Sequence, residues 1–202
     1  LNEALKAGKN IAGHFFGNAM MKAVAVAQTN ACMGRIVASP TAGSCGILPS
    51  ALLTLQEEKN ISDKDLVMAL FTASAVGIVI ATNAGAASAM AAAAMVELCG
   101  GTPKQCEHAC AIALKNILGL VCDPVAGLVE IPCIKRNAGG VGNALVAAEL
   151  ALAGVESHIP ADEVIVAMKK IGDTMSSTLK ETAEGGLAVT PTGKKLCEKV
   201  FG

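Results

Sequence analysis

The sequence predicts an all-α fold, a compact bundle of Ala-rich helices with a buried central helix and irregular loops between helices. Alternation of apolar and polar residues, which marks half-buried strands, is hardly seen. Hydrophobic residues make up 52% of the 202 residues and aromatic residues only 2%, so the core consists of small and aliphatic side chains. Several segments are apolar nearly all round, which is typical of helices inside a bundle.

One domain over residues 1–202 is expected, because the chain is long enough for one core and no polar linker divides it. The formal net charge of −1, with both signs scattered, indicates neither a nucleic-acid partner nor a polybasic membrane surface. The chain opens at Leu1 without a signal-peptide pattern, and we expect it to be part of something longer. Eight cysteines without an export signal favour free thiols in a cytoplasmic protein.

Two helices are predicted from capping residues. Ser62 with Asp65 resembles a capping box before DLVMALFTASAVGIVIATNA, and Thr102-Pro103 with Gln105 does the same for KQCEHACAIALKNILGL. The run from Leu66 to Ala81 has sixteen residues without a formal charge, short of the roughly 20 that span a bilayer. We expect a buried core helix there, although a helical hairpin with AASAMAAAAMVEL would suit a membrane.

Two more helices are predicted towards the C-terminus. NALVAAELALAGVESHIP indicates a long Ala/Leu helix that stops near Gly154, and ADEVIVAMKKIGDTM an amphipathic helix after Pro160.

The stretch CDPVAGLVEIPC sets Cys122 and Cys133 eleven positions apart. On a continuous helix their residues would lie about 16 Å apart, at roughly 1.5 Å per residue, too far for one metal centre. Pro124 and Pro132 disfavour that helix, so the chain is free to bend back and bring both sulfurs together. The spacing leaves open whether the two are inert core thiols or ligands of an iron–sulfur cluster, and zinc is less favoured without a shorter spacing.

Three stretches, NILGLVCDPVAGLVEIPCIKRNA, SPTAGSCGILP and GGLAVTPTG, resemble the signatures of the α domain of iron–sulfur-dependent L-serine dehydratases, over nearly the whole chain. The resemblance implies a lyase that deaminates L-serine to pyruvate and ammonia without pyridoxal phosphate. It implies a [4Fe–4S] cluster held by three cysteines, two of them Cys122 and Cys133. It also implies a β subunit or β domain as partner, and we expect an oligomer.

The chain departs from the family pattern at the third ligand. In the family, a glycine-rich loop containing GGCQAE follows ATNA, whereas here Asn83-Ala84 runs directly into Gly85. Either the ligand has been lost and the cluster with it, or an internal loop near 84–85 is missing from this chain. We favour the second interpretation, and we expect that the N-terminal part of the family's domain is missing as well.

Two groups of residues are candidates for binding the substrate carboxylate. The turn SPTAGSCG combines hydroxyls with a flexible backbone that can direct N–H groups at an anion, although a helix cap and tight turn would need the same residue types. Basic residues after Cys133 place positive charge near the cysteine loop, although they would also suit a solvated helix start. The candidates are Ser39, Thr41, Gly43, Ser44, Lys135, Arg136 and Asn137.

The sequence assigns no general base, and the catalytic residues are unknown. His14, His108 and His158 are expected to be structural, so the base can lie on the β partner. Cys197, near the end of the chain, is a candidate for reaching an open iron. Two other classes stay open: a related cysteine desulfidase, and a non-enzymatic helical membrane or scaffold protein.

Overall fold

The computed structural model describes residues 1–80 and 86–202, and within these ranges it contains helices and no β-strand, which confirms the all-α prediction. The helices are α1 (Asn2–Lys6), α2 (Gly13–Ala31), α3 (Ile47–Lys59), α4 (Asp63–Ile80), α5 (Ala86–Leu98), α6 (Pro103–Lys115), α7 (Cys133–Leu152), α8 (Ala161–Thr174) and α9 (Pro191–Phe201). Short 3₁₀ turns lie at Ala42–Ser44, Val125–Gly127, Ser177–Leu179 and Gly186–Val189. Among the described residues, no helix is both long and apolar enough to cross a membrane.

Helix α5 is the buried central helix. Every residue from Ala86 to Val96 is buried, and α3, α4, α6 and α7 all pack against this helix. Seven of those eleven residues are alanines, whose small side chains let four neighbouring helices approach one axis. The Ala-rich composition therefore decides which helix occupies the centre.

Helix α4 lies at the edge of the bundle, so the prediction of a buried core helix from Leu66 is wrong for half of its surface. Ala69 and Ala73 are fully buried, whereas Phe71 and Ile78 are 65% and 76% exposed. The apolar pattern continues all round this helix and did not distinguish the two faces. The larger side chains also suit the central position less well than the alanines of α5.

The capping box predicted at Thr102 is present in full, whereas at Ser62 the side chain caps α4. Thr102 Oγ1 accepts the Gln105 N–H at 3.2 Å, and Gln105 Oε1 accepts the Thr102 N–H at 2.9 Å. Ser62 Oγ accepts the Asp65 N–H at 3.2 Å and donates to the Asp65 carboxylate at 2.7 Å. These bonds satisfy N–H groups that the first helical turn leaves unpaired.

Helix α7 begins at Cys133, ten residues before the start of the predicted Ala/Leu helix, and it ends before Gly154 as expected. The glycines in its first half lower its helical propensity, and packing compensates. A Cβ at Gly140 would overlap the Ile47 side chain, so this glycine allows α7 to approach α3 closely. Helix α8 follows Pro160 as predicted and buries Val164.

Candidate functional site

The segment between Cys122 and Cys133 bends back on itself, as its prolines predict. The Val125 N–H donates to the Ile131 carbonyl at 2.9 Å and closes the bend. Inside it, Val125–Gly127 forms one 3₁₀ turn, with Ala126 in the left-handed region at a φ of 58°. Cys122 lies at the start of the bend and Cys133 at the first residue of α7.

The two thiols lie in one electrostatic environment. Burial raises the pKa of Cys122, with further increases from Glu181 and Cys133, whereas Arg136 lowers it. Burial also raises the pKa of Cys133, Arg136 lowers it, and Glu181 and Asp123 raise it. Cys133 thus contributes to the pKa of Cys122, and the charges of Arg136, Glu181 and Asp123 influence both thiols. Their protein surroundings favour the neutral thiols, and a bound metal would instead stabilise the thiolates.

Asp123 joins three segments around this site. Its side chain is 3% exposed, and its Oδ2 accepts the Leu187 N–H at 2.7 Å. Its Oδ1 lies 2.9 Å from Arg136 Nη2, an ion pair without well-aligned hydrogen-bond geometry. Arg136 Nη1 donates to the Val121 carbonyl at 3.0 Å. The carboxylate thus fixes the cysteine loop to the first turn of α7 and to the GGLAV segment.

Gly186 makes room for that carboxylate. Its φ of +58° lies in the left-handed region, and a Cβ there would overlap the Asp123 carboxylate. Glycine is the residue that adopts this backbone conformation without a steric cost. The glycine of GGLAV therefore serves the Asp123 contact directly.

Asn137 joins the SPTAGSCG turn to the same end of α7. Its side chain is buried, and its Nδ2 donates to the carbonyls of Gly43 and Cys133, both at 2.8 Å. Its Oδ1 accepts the Gly46 N–H at 2.9 Å. All three bonds go to backbone groups, so Asn137 holds the turn in place, and the amide has little capacity left for a ligand.

The other predicted carboxylate contacts occupy different environments. Ser44 is buried, its Oγ lies 2.9 Å from Thr41 Oγ1, and its N–H closes the turn on the Thr41 carbonyl at 3.2 Å. Ser39 is partly buried, and its carbonyl accepts from Ser44 Oγ at 3.3 Å. Lys135 is exposed in the first turn of α7. The hydroxyls of Thr41 and Ser44 are thus engaged with each other, whereas Lys135 faces solvent.

Helix α9 packs on the cysteine loop and places Cys197 beside it. A concavity of about 420 Å³ lies between them. It is lined by Ala126, Gly127, Ala183, Ala188, Val189, Lys194 and Cys197. Cys197 is thus held in a helix next to the loop. The sequence alone predicted only that it lies near the end of the chain.

Cys45, Cys110 and His108 serve packing in the core. Cys45 and Cys110 are buried, Cys110 within α6 beside the half-buried Cys106. His108 is buried, and its Nδ1 accepts the Ser157 N–H at 3.2 Å, which agrees with a structural role.

The site supplies two thiols for a cluster that would need three. Within residues 1–80 and 86–202, no group of three His, Cys, Asp or Glu side chains is placed to hold a metal ion. Cys122 and Cys133 fit two ligand positions, since they are half-buried thiols at the two ends of one bend. The internal loop predicted as missing near 84–85 lies outside the described residues.

Sequence reasoning missed Asp123, Gly186 and Leu187 as parts of the site. A carboxylate directly after a cysteine, in a loop with only one other charged residue, was the signal for Asp123. Nothing local in the sequence pairs it with Leu187, which lies 64 positions away.

Fold and site together define an all-α protein in which three loop segments meet at the first turn of one helix, beside two thiols. Residues 1–188 match the profile of the family described as serine dehydratase alpha chain. The chain therefore belongs to this family, which confirms the resemblance of its three stretches.

Three relatives illustrate the similarity. A Bacillus subtilis (strain 168) protein named probable L-serine dehydratase, alpha chain, is 53% identical over 215 residues, covering 100% of this chain and 72% of that protein. One from Latilactobacillus sakei with the same name is 51% identical over 197 residues, 91% of this chain and 94% of that protein. The L-serine dehydratase, alpha chain, of Peptoniphilus asaccharolyticus is 49% identical over 207 residues, 96% of this chain and 71% of that protein.

Proposed function

We propose that this chain is the α chain of an L-serine dehydratase, a lyase that converts L-serine to pyruvate and ammonia. The names of its relatives support the substrate. The observation that carries the proposal is the convergence of three segments on the first turn of α7. Asp123 holds the GGLAV segment there, and Asn137 holds the SPTAGSCG turn, beside Cys122 and Cys133.

The cofactor in this proposal is a [4Fe–4S] cluster bound by Cys122, Cys133 and a third cysteine that the described residues do not supply. The alignment with the Bacillus subtilis protein extends over 215 residues, more than the 202 of this chain, so that relative has residues without a counterpart here. This supports, without locating it, an internal loop that this chain lacks. No pyridoxal phosphate is part of the proposal.

When bound, the cluster supplies a Lewis-acidic iron that favours departure of the substrate hydroxyl. The chain's own residues position the substrate and balance the charge of the ligands. Arg136 places its positive charge near both thiols and offsets the negative charge of thiolate ligands, and its contact with Asp123 fixes its direction. The exposed Lys135 is available to the substrate carboxylate, as are backbone groups of the turn that Asn137 holds.

The partner in this proposal is a β chain, and the general base that removes the α-proton lies on that chain. The name alpha chain, shared by the relatives, supports a second chain. Two of the three histidines here, His14 and His158, are exposed, and the third serves packing. A cytoplasmic enzyme that assembles as an oligomer completes the proposal.

Turnover of L-serine tests the proposed function. The full-length α chain, prepared anaerobically with its β chain, should form pyruvate from L-serine. Replacing Lys135 with Met should raise the KM for serine at least tenfold with a smaller change in kcat, whereas Lys64→Met, an exposed lysine on α4, should leave both unchanged. Faster release of sulfide from L-cysteine than of pyruvate from L-serine would instead indicate a desulfidase. Absence of both activities would overturn the proposal.

A further inference from the structure

Helix α4 presents an apolar face to solvent. Six large apolar side chains on it are between 39% and 76% exposed: Val67, Met68, Leu70, Phe71, Ile78 and Val79. No Asp, Glu, Lys or Arg occurs between Leu66 and Ile80. Contiguous apolar patches on a folded protein mark interaction sites, whereas single exposed apolar side chains are normal.

The exposed side chains form one continuous surface. At about 100° per residue, they lie together with Ser74 and Ala75 on one half of the helix. Ala69, Ala73 and Ile80 lie on the opposite half and are buried, where α4 packs on α5. The outer half is therefore a face without a partner among the described helices.

We propose that this face binds a second copy of the same chain, with the two α4 helices antiparallel about a two-fold axis at Ser74 and Ala75. Four of the six exposed side chains are placed symmetrically about that point. Phe71 and Ile78 are equally far from it, as are Leu70 and Val79. In an antiparallel pair, Phe71 of one copy therefore packs on Ile78 of the other. Ser74 and Ala75 at the centre allow the backbones to approach closely.

Charge and area both suit a second copy. An isologous interface brings every residue near its own symmetry mate, so a charged face would repel itself, and this face carries no charge. A fully exposed side chain of this size offers about 150–200 Å², so the six exposed fractions amount to roughly 600 Å². That is close to the about 800 Å² per partner of a standard interface.

Sedimentation velocity on the purified chain tests this proposal. The wild-type chain should be a dimer, and Phe71→Glu or Ile78→Lys should each weaken the dimer at least 100-fold. The double variant F71E/I78K should dimerise again, because antiparallel pairing sets Glu against Lys twice. Val166→Glu, a similarly exposed apolar residue on α8, is the matched control and should leave the dimer intact.

Circular dichroism verifies that the variants fold. If a charged variant does not fold, the variant with both Phe71→Gln and Ile78→Gln takes its place and should also weaken the dimer. A wild-type chain that stays monomeric at its highest soluble concentration would overturn the proposal. So would a face that becomes protected from solvent only when the β chain is added. A folded double variant that remains monomeric would overturn the antiparallel pairing.

Discussion

Asp123 accepts the backbone N–H of Leu187 at 2.7 Å and so connects two segments that lie 64 positions apart in the chain. The same carboxylate pairs with Arg136 in α7. One buried side chain thus determines how the cysteine loop, the main helix of the site and the GGLAV segment lie relative to one another. Three predictions about stability follow from this arrangement and its neighbours, and a fourth follows from the buried thiol of Cys110 in α6.

Asp123→Asn should lower the free energy of unfolding by about 1–3 kcal/mol. The amide oxygen can still accept the Leu187 N–H, but the ion pair with Arg136 is lost, and Arg136 is 30% exposed, so solvent compensates in part. Urea unfolding measures the change. Asp173→Asn is the control, because Asp173 pairs with Lys169 on the surface, and it should change stability by less than about 0.5 kcal/mol. Equal effects of the two substitutions would contradict the role of Asp123.

Gly186→Ala should destabilise the protein more than Gly154→Ala. Both glycines have a positive φ, so both substitutions carry a backbone cost of about 1 kcal/mol. A Cβ at Gly186 also overlaps the Asp123 carboxylate, whereas a Cβ at Gly154 meets nothing within 4 Å. The difference between the two, measured by urea unfolding, isolates the contact with Asp123. No difference would mean that the carboxylate moves without cost.

Asn137→Ala should cost about 2–4 kcal/mol, because it removes the partner of the buried Gly46 N–H and of the partly buried Gly43 and Cys133 carbonyls. The Gly46 amide should also exchange with solvent deuterium much faster, which hydrogen-exchange NMR detects. Asn143→Ala on the same helix is the matched control. It should not change exchange at Gly46, because Asn143 bonds to Ala113 and Asn116. Unchanged exchange in Asn137→Ala would show that the turn holds itself in place.

Alkaline pH should destabilise the protein in part through Cys110. Burial raises the pKa of this thiol to about 12 in the folded protein. The unfolded chain releases the proton near pH 8.5 and the folded chain does not, so this contribution is complete below that pH and falls as pH rises towards 12. The loss amounts to about 1.4 kcal/mol per pH unit.

Urea unfolding between pH 8 and pH 10 compares wild type with two variants. In Cys110→Ala, the free energy of unfolding should fall less steeply with pH, by up to the slope that one proton contributes. Cys32→Ala, at an exposed cysteine, serves as the control. Parallel curves for wild type and Cys110→Ala would contradict the shift at Cys110.

Local patterns predicted the helices that have clear ends, and long-range contacts decided the rest. Thr102 and Pro160 marked helix starts because caps and prolines act within one turn. The start of α7 was missed because its glycines, which lower propensity, serve packing against Ile47. The paired cysteines were visible as a motif, but Gly46 and Asn137, 91 positions apart, meet only through the fold.

The proposed function requires that Cys122 and Cys133 together hold an iron–sulfur cluster. Iron and sulfide content and visible absorption of the full-length protein, purified anaerobically with its β chain, test it most directly. Wild type and Cys106→Ser, at a half-buried thiol in α6, should hold a cluster that air bleaches, and Cys122→Ser and Cys133→Ser should both lose it. A cluster with wild-type iron content and absorption in either of these two variants, or a wild-type protein without iron, would contradict the claim.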